Sequence, residues 1–173
     1  MLLHIGEKIL NYQKIIQKIE EILDMRVRGM SQQEVANRAG VDRTFISRLE
    51  SLGEIRKGGR LALVGFPIQN CRELEQMAQK EGVDYCFLLS DKERWEFVQN
   101  KTGLELFNTV MTLVSVLRTY DSVIVIGSDM RVKMVSNLLD KEVIGIVIGE
   151  SPLNEDKCVD SKEIREIIRQ IHI

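Results

Sequence analysis

Met30-Ser-Gln-Gln-Glu-Val-Ala-Asn-Arg-Ala-Gly-Val-Asp-Arg-Thr-Phe-Ile-Ser-Arg-Leu-Glu50 carries more structural information than any other stretch of this chain. Ser31 stands three residues before Glu34, the spacing of a capping box, in which each side chain satisfies the other's backbone amide at a helix start. Val35, Ala36 and Ala39 give that helix an apolar face, and Gly40 ends it, because glycine tolerates the left-handed backbone of a C′ residue. Asp42 is expected to cap a second helix whose inner face reads as Phe45, Ile46 and Leu49. Two short helices with almost no connection must cross steeply, which calls for a small residue where they touch. Ala36 supplies it, Val35 and Ile46 meet as the plug, and Val41 seals the turn.

Upstream, Ile5, Ile9, Tyr12, Ile16, Ile19 and Leu23 recur at alternating spacings of four and three, the seam of a coiled coil, with Ile15 and Ile22 on its flank. This pattern predicts one long helix from Leu3 to Val27. Its last turns are expected against the two short helices, and its first turns against either that core or a second copy. Downstream, Gly53, Gly58 and Gly59 among charged residues mark a linker. The pattern then changes. Leu61–Phe66, Val83–Leu89, Ser122–Ile126 and Val143–Ile148 are short, near-continuous apolar runs rich in branched residues, as expected of strands covered on both faces. Helical patterns separate them at Cys71–Glu81, Asp91–Tyr120 with a break near Gly103, and Met130–Lys141; a last helix begins near Ser161. Alternating strands and helices imply right-handed crossovers and a mostly parallel sheet.

With 44% hydrophobic and 29% charged residues, the composition is that of a soluble globular protein. No signal-peptide pattern or membrane-length apolar run is present, so a cytoplasmic location and no membrane partner are expected. Cys71, Cys86 and Cys158 are dispersed, and His4 and His172 lie at opposite ends, which leaves little for metal binding or Cys/His and Ser/His/Asp catalysis. No cofactor and no enzymatic activity are expected. Residues 26–60 carry eight basic and four acidic side chains, a surplus of four in a chain of net charge −2, so the rest carries −6. A basic segment joined to an acidic body suits a nucleic-acid reader with a separate partner domain.

The quoted stretch resembles the helix-turn-helix of Cro/CI (XRE-type) bacterial and phage repressors. There the pattern S-Q-x-x-x-A, G-V, I-S-R-x-E is common, here Ser31-Gln32 with Ala36, Gly40-Val41, and Ile46-Ser47-Arg48 with Glu50. The resemblance covers roughly Leu23 to Leu52. It implies double-stranded DNA as a partner and a transcription regulator acting as a homodimer. It assigns Gln32 to phosphate, and Arg43, Thr44, Ser47 and Arg48 to the exposed face of the recognition helix. Arg43 and Arg48 can each pair bidentately with a guanine edge, and Thr44 can touch a thymine methyl or a phosphate. Arg38 and Lys57 resemble contacts that position without specifying; a surface ion pair with Glu50 or Glu54 is the alternative for Arg48. The expected fold is therefore α/β: an N-terminal all-helical helix-turn-helix domain over 1–58, followed by a four-stranded, mostly parallel, Rossmann-like α/β domain over 59–173. One departure matters. The family usually adds two dimer-building helices after recognition, whereas here strand-like sequence starts near Leu61. The dimer contact must come from the N-terminal helix, the α/β domain, or both.

In open parallel sheets, ligands bind beyond the C-terminal strand ends. Asn70, Asp91, Ser128, Asp129 and Arg131 fall there and are the candidates for a small-molecule effector, a phosphate or carboxylate. Asn70 with Glu73, Ser90 with Glu93, and Ser128 or Asp129 read equally as ordinary helix caps, and no G-x-G-x-x-G or P-loop is present. The α/β domain is thus open to effector sensing or to a pure dimerisation role. Rival readings are an enzymatic or ligand-binding α/β protein whose head serves assembly, and an antitoxin-like interaction module. Cys71 at a helix start is a candidate low-pKa thiol, with an inert buried cysteine as the alternative. Trp95, Phe97 and Phe107 are expected in the core.

Overall fold

Ser31 and Glu34 form the expected capping box at the start of a helix spanning Gln32–Ala39, and Gly40 closes that helix at φ 69° in the left-handed region. In the chain-order numbering used below, this is α2, between α1 (Tyr12–Val27) and α3 (Arg43–Leu52). This computed structural model describes residues 1–54 and 58–172 and separates the chain into two compact units, Met1–Glu54 and Ile55–Ile173.

The first unit is not all-helical. The helix expected from Leu3 begins only at Tyr12, where Asn11 caps it by accepting from the Lys14 amide at 3.2 Å. The preceding residues pair as an antiparallel hairpin, β1 (Leu2–Ile5) with β2 (Lys8–Asn11). Gly6-Glu7 turns it, with Gly6 at φ 58°. A two-residue turn led by glycine is a strong hairpin signal. It overrides the heptad-like placing of Ile5 and Ile9, which stay 61% and 62% exposed. Behind the hairpin, Ile22, Val35, Ala36 and Ile46 are fully buried, with Met25, Met30, Ala39, Val41 and Leu49 packed around them. Phe45 is a second correction: it is 44% exposed and lines an apolar groove of about 640 Å3 with residues of β2 and α1. Asp42 stands at the N-cap of α3 without a side-chain capping bond.

The second unit runs β3 (Leu61–Gly65), α4 (Cys71–Lys80), β4 (Tyr85–Leu88), α5 (Asp91–Gln99), α6 (Gly103–Leu117), β5 (Ser122–Ser128), α7 (Asp129–Leu139), β6 (Glu142–Gly149) and α8 (Ser161–His172). The four strands pair in parallel in the order β4-β3-β5-β6. Central β3 and β5 are buried along their whole length, which is why their sequences show no polar alternation. One sheet face carries Leu61, Leu63, Ile124 and Ile126 against α4 and α8; the other carries Ala62, Val64, Val123 and Val125 against α6 and α7. Of the expected core aromatics, Phe97 packs edge-on against Phe87 at 5.9 Å, but Trp95 and Phe107 are 52% and 62% exposed. No helix among the described residues is long and apolar enough to cross a membrane.

Helix α7 lies so close to β6 that a Cβ built at Gly145 would stand 2.2 Å from Val132 Cγ1. Gly145→Ala is expected to cost about 1–3 kcal/mol in urea unfolding through overpacking. Val132→Ala should be less damaging in that background than in the wild type. Strict additivity of the two substitutions would sink the packing account.

Candidate nucleic-acid interface

Three helices of the first unit are tied together by one carboxylate. Arg26, at the end of α1, donates from Nε to Glu50 Oε1 at 2.5 Å, and its Nη1 donates to the Met30 carbonyl. Gln32, at the start of α2, donates from Nε2 to Glu50 Oε2 at 2.7 Å, while its Oε1 accepts from Arg43 Nε at 3.4 Å. The Arg26 guanidinium first, and Gln32 second, hold the Glu50 carboxyl below its ordinary pKa. The chain Arg26–Glu50–Gln32–Arg43 thus fixes α3 against α1 and α2 from its polar side, while Ile46 fixes it from the apolar side.

Arg43, Thr44, Ser47 and Arg48 are all exposed. At 3.6 residues per turn they fall within about 140° of arc on α3, away from Ile46 and Leu49. Arg38 is exposed on α2, and Gln32 is half-buried by its bonds to Glu50 and Arg43. Glu50 faces Arg26, and among the described residues Arg48 has no ion-pair partner, so the alternative of a surface pair with Glu50 or Glu54 is not what is found. Lys57 lies outside the described residues. Sequence reasoning missed Arg26 and the structural role of Glu50. The one available signal was the acid at the end of the I-S-R-x-E pattern.

At the strand ends, most candidates have structural partners. Asn70 clamps the segment before α8, donating to the Val159 carbonyl at 2.9 Å and accepting from its amide at 3.0 Å. It makes no capping bond to α4, so the expected Asn70–Glu73 capping box is absent, although Nδ2 reaches the Glu73 carboxylate at 3.1 Å. Ser90 and Glu93 do form their box. Asp91 pairs with Arg94 at 2.5 Å, and its amide donates to Asp156. Ser128 is fully buried and caps α7 through the Arg131 amide, and Asp129 accepts from the Ser151 amide at 2.9 Å. Arg131 differs from these. Its guanidinium lies over the Phe66 ring at 4.8 Å, beside the point where connections leave β3 and β5 in opposite directions, and its buried Nη1 has no partner. Burial first, then the nearby Arg94 charge, lowers its proton affinity, with Asp91 opposing. Cys71 is no activated thiol: burial, reinforced by Glu93 and other acids, pushes it up to about 11.

Compared with known proteins, the chain matches no family model, no curated protein and no solved structure.

Because the Glu50 carboxyl is held low in the folded state, its stabilising bonds are present above the ordinary carboxylate range, about pH 4, and are lost as pH falls through the depressed value. Thermal melts from neutral to acid pH should therefore show wild type losing more stability than Glu50→Gln. A gap between the two proteins that stays constant across that range would refute the assignment.

Proposed function

We propose that residues 31–52 are a helix-turn-helix and that this chain is a sequence-specific, DNA-binding transcription regulator acting as a homodimer in the cytoplasm. The observation that carries the reading is the outward face of α3. Two arginines and two hydroxyl residues point away from a core plug that the Glu50 network holds rigid. Bidentate Arg–guanine pairing needs such a pre-oriented, solvent-facing guanidinium on a helix that fits the major groove. The basic surplus that residues 26–60 carry in the sequence supports the same reading, since a basic segment is drawn to the phosphate backbone. Arg43 and Arg48 read bases, Thr44 and Ser47 contact bases or phosphates, and Gln32 and Arg38 anchor to the backbone.

A second reading concerns the α/β unit, where the unpartnered Nη1 of Arg131 favours a small anionic effector, phosphate or carboxylate. It predicts that millimolar inorganic phosphate raises the melting temperature of wild type but not of Arg131→Ala; equal response of both proteins removes this site from consideration.

For the DNA reading, selected operator sequence is the probe. Arg43→Ala should lose ~1–3 kcal/mol of binding and relax base preference at one position, whereas Arg38→Ala should weaken all sequences alike and lower the salt slope by about one. A folded protein that binds no DNA even at low salt overturns the proposal.

A further inference from the structure

Helix α6 has a composition that does not match its position. Of its fifteen residues only Glu105 is ionisable, and that carboxylate is engaged in the capping box with Thr102. Asn108, Thr109, Thr112 and Ser115 join Glu105 on one arc and the rest of the helix is apolar, a stripe wide enough to belong in an interior, yet in α6 only Leu117 is fully buried. Leu104, Phe107 and Met111 stand one and two turns apart on its open side, 72%, 62% and 49% exposed. On the same sheet face, α7 presents Met130, Met134 and Leu138 at successive turns, 57%, 58% and 47% exposed. Arg118, following α6, donates to the Leu138 carbonyl at 3.1 Å and joins the ends of the two helices.

We infer that this two-helix face is where a second copy of the chain docks, across a twofold axis. The inference extends the proposed regulator by assigning its dimer contact.

Three observations select the occupant. The first is area. If a large apolar residue offers roughly 200 Å2 when fully open, the six side chains together leave on the order of 600–700 Å2 exposed, more than monomers usually show and near the ~800 Å2 per partner of a stable interface.

The second is readiness for desolvation. The hydroxyls of Thr109, Thr112 and Ser115 donate to carbonyls four residues back, at 2.7, 2.9 and 2.9 Å, and Ser136 on α7 does the same at 2.9 Å. Thr109 and Thr112 face the Tyr85, Phe87 and Phe97 side of α6, and Ser115, on the flank of the Leu104–Phe107–Met111 stripe, is already satisfied, so covering that stripe orphans no hydroxyl donor.

The third is charge. None of the six side chains is ionisable, and exposed Lys133 flanks the Met130–Met134–Leu138 stripe about 100° of arc from its centre, so copies meeting about a twofold axis bring no like charges together within the stripe. The competing apolar groove, beside Ile15 and Phe45, is lined by Lys14 and Lys18, and self-pairing there would oppose lysine to lysine.

The full chain is tested by sedimentation velocity across the micromolar range. Wild type should sediment as two 19.9 kDa chains. Phe107→Glu with Met134→Glu should weaken association at least tenfold, and Ile15→Glu should leave it unchanged. All substituted positions are solvent-exposed, and melting curves check that each variant folds. Hydroxyl-radical labelling of unaltered protein gives an independent readout: Met130 and Met134 should be protected at high concentration and oxidise on dilution. The inference is overturned by a wild-type monomer, by a dimer indifferent to the α6/α7 substitutions, by a dimer lost only with Ile15→Glu, or by methionines that react equally at all concentrations. A dimer that ignores DNA refutes the regulator reading and leaves this interface standing. A monomer that binds operator does the reverse.

Discussion

Glu50 accepts from Arg26 through one oxygen and from Gln32 through the other, so a single carboxylate spans the end of α1, the start of α2 and the body of α3. The apolar plug of Ile22, Val35, Ala36 and Ile46 is small, and a small core leaves more of a unit's stability to other interactions. The polar tie supplies further fixed points, because hydrogen bonds to a charged group are worth more than neutral ones and Glu50 receives one on each oxygen. What α3 presents to solvent is therefore a consequence of what Glu50 holds on its other side. Gln32 extends this order to Arg43, which enters the solvent-facing surface with one nitrogen already engaged.

Legibility from sequence followed the strength of the local signal. Ser31–Glu34 and Gly40 act within their own helix, so their spacing was enough to place α2. The parallel strands were legible because burial on both faces removes polar residues outright, as in Leu61–Gly65 and Ser122–Ser128. Residues 3–11 read as helix because Ile5 and Ile9 satisfy a helical period by accident, while Gly6-Glu7 is a turn signal two residues long. Arg26 was missed for a different reason: its partner is 24 residues away, and no spacing rule covers a tertiary contact. Asn70 likewise serves a residue 89 positions further on, which a cap-based reading of its neighbours could not reveal.

Apolar residues that failed to be core are as informative as those that succeeded. Phe45 by its helical spacing, and Phe107 and Trp95 by their hydrophobicity, read as inward-facing, and neither signal distinguishes a monomer's interior from an exposed apolar surface. At the strand ends the lesson runs the other way: most polar residues there are engaged in joining loops, and among the described strand-end candidates Arg131 alone keeps a buried nitrogen without a partner.

The strand order also bears on how the chain acquires its form. β3 and β5 are neighbours in the sheet, but α4, β4, α5 and α6 lie between them in the chain. One edge of β3 stays unpaired until β5 arrives, whereas the plug of the first unit, Ile22, Val35, Ala36 and Ile46, closes within 25 residues of chain. Local contacts form faster than distant ones, and on the ribosome the N-terminal part emerges first. The head is thus set to mature while the sheet behind it is still waiting for its third strand.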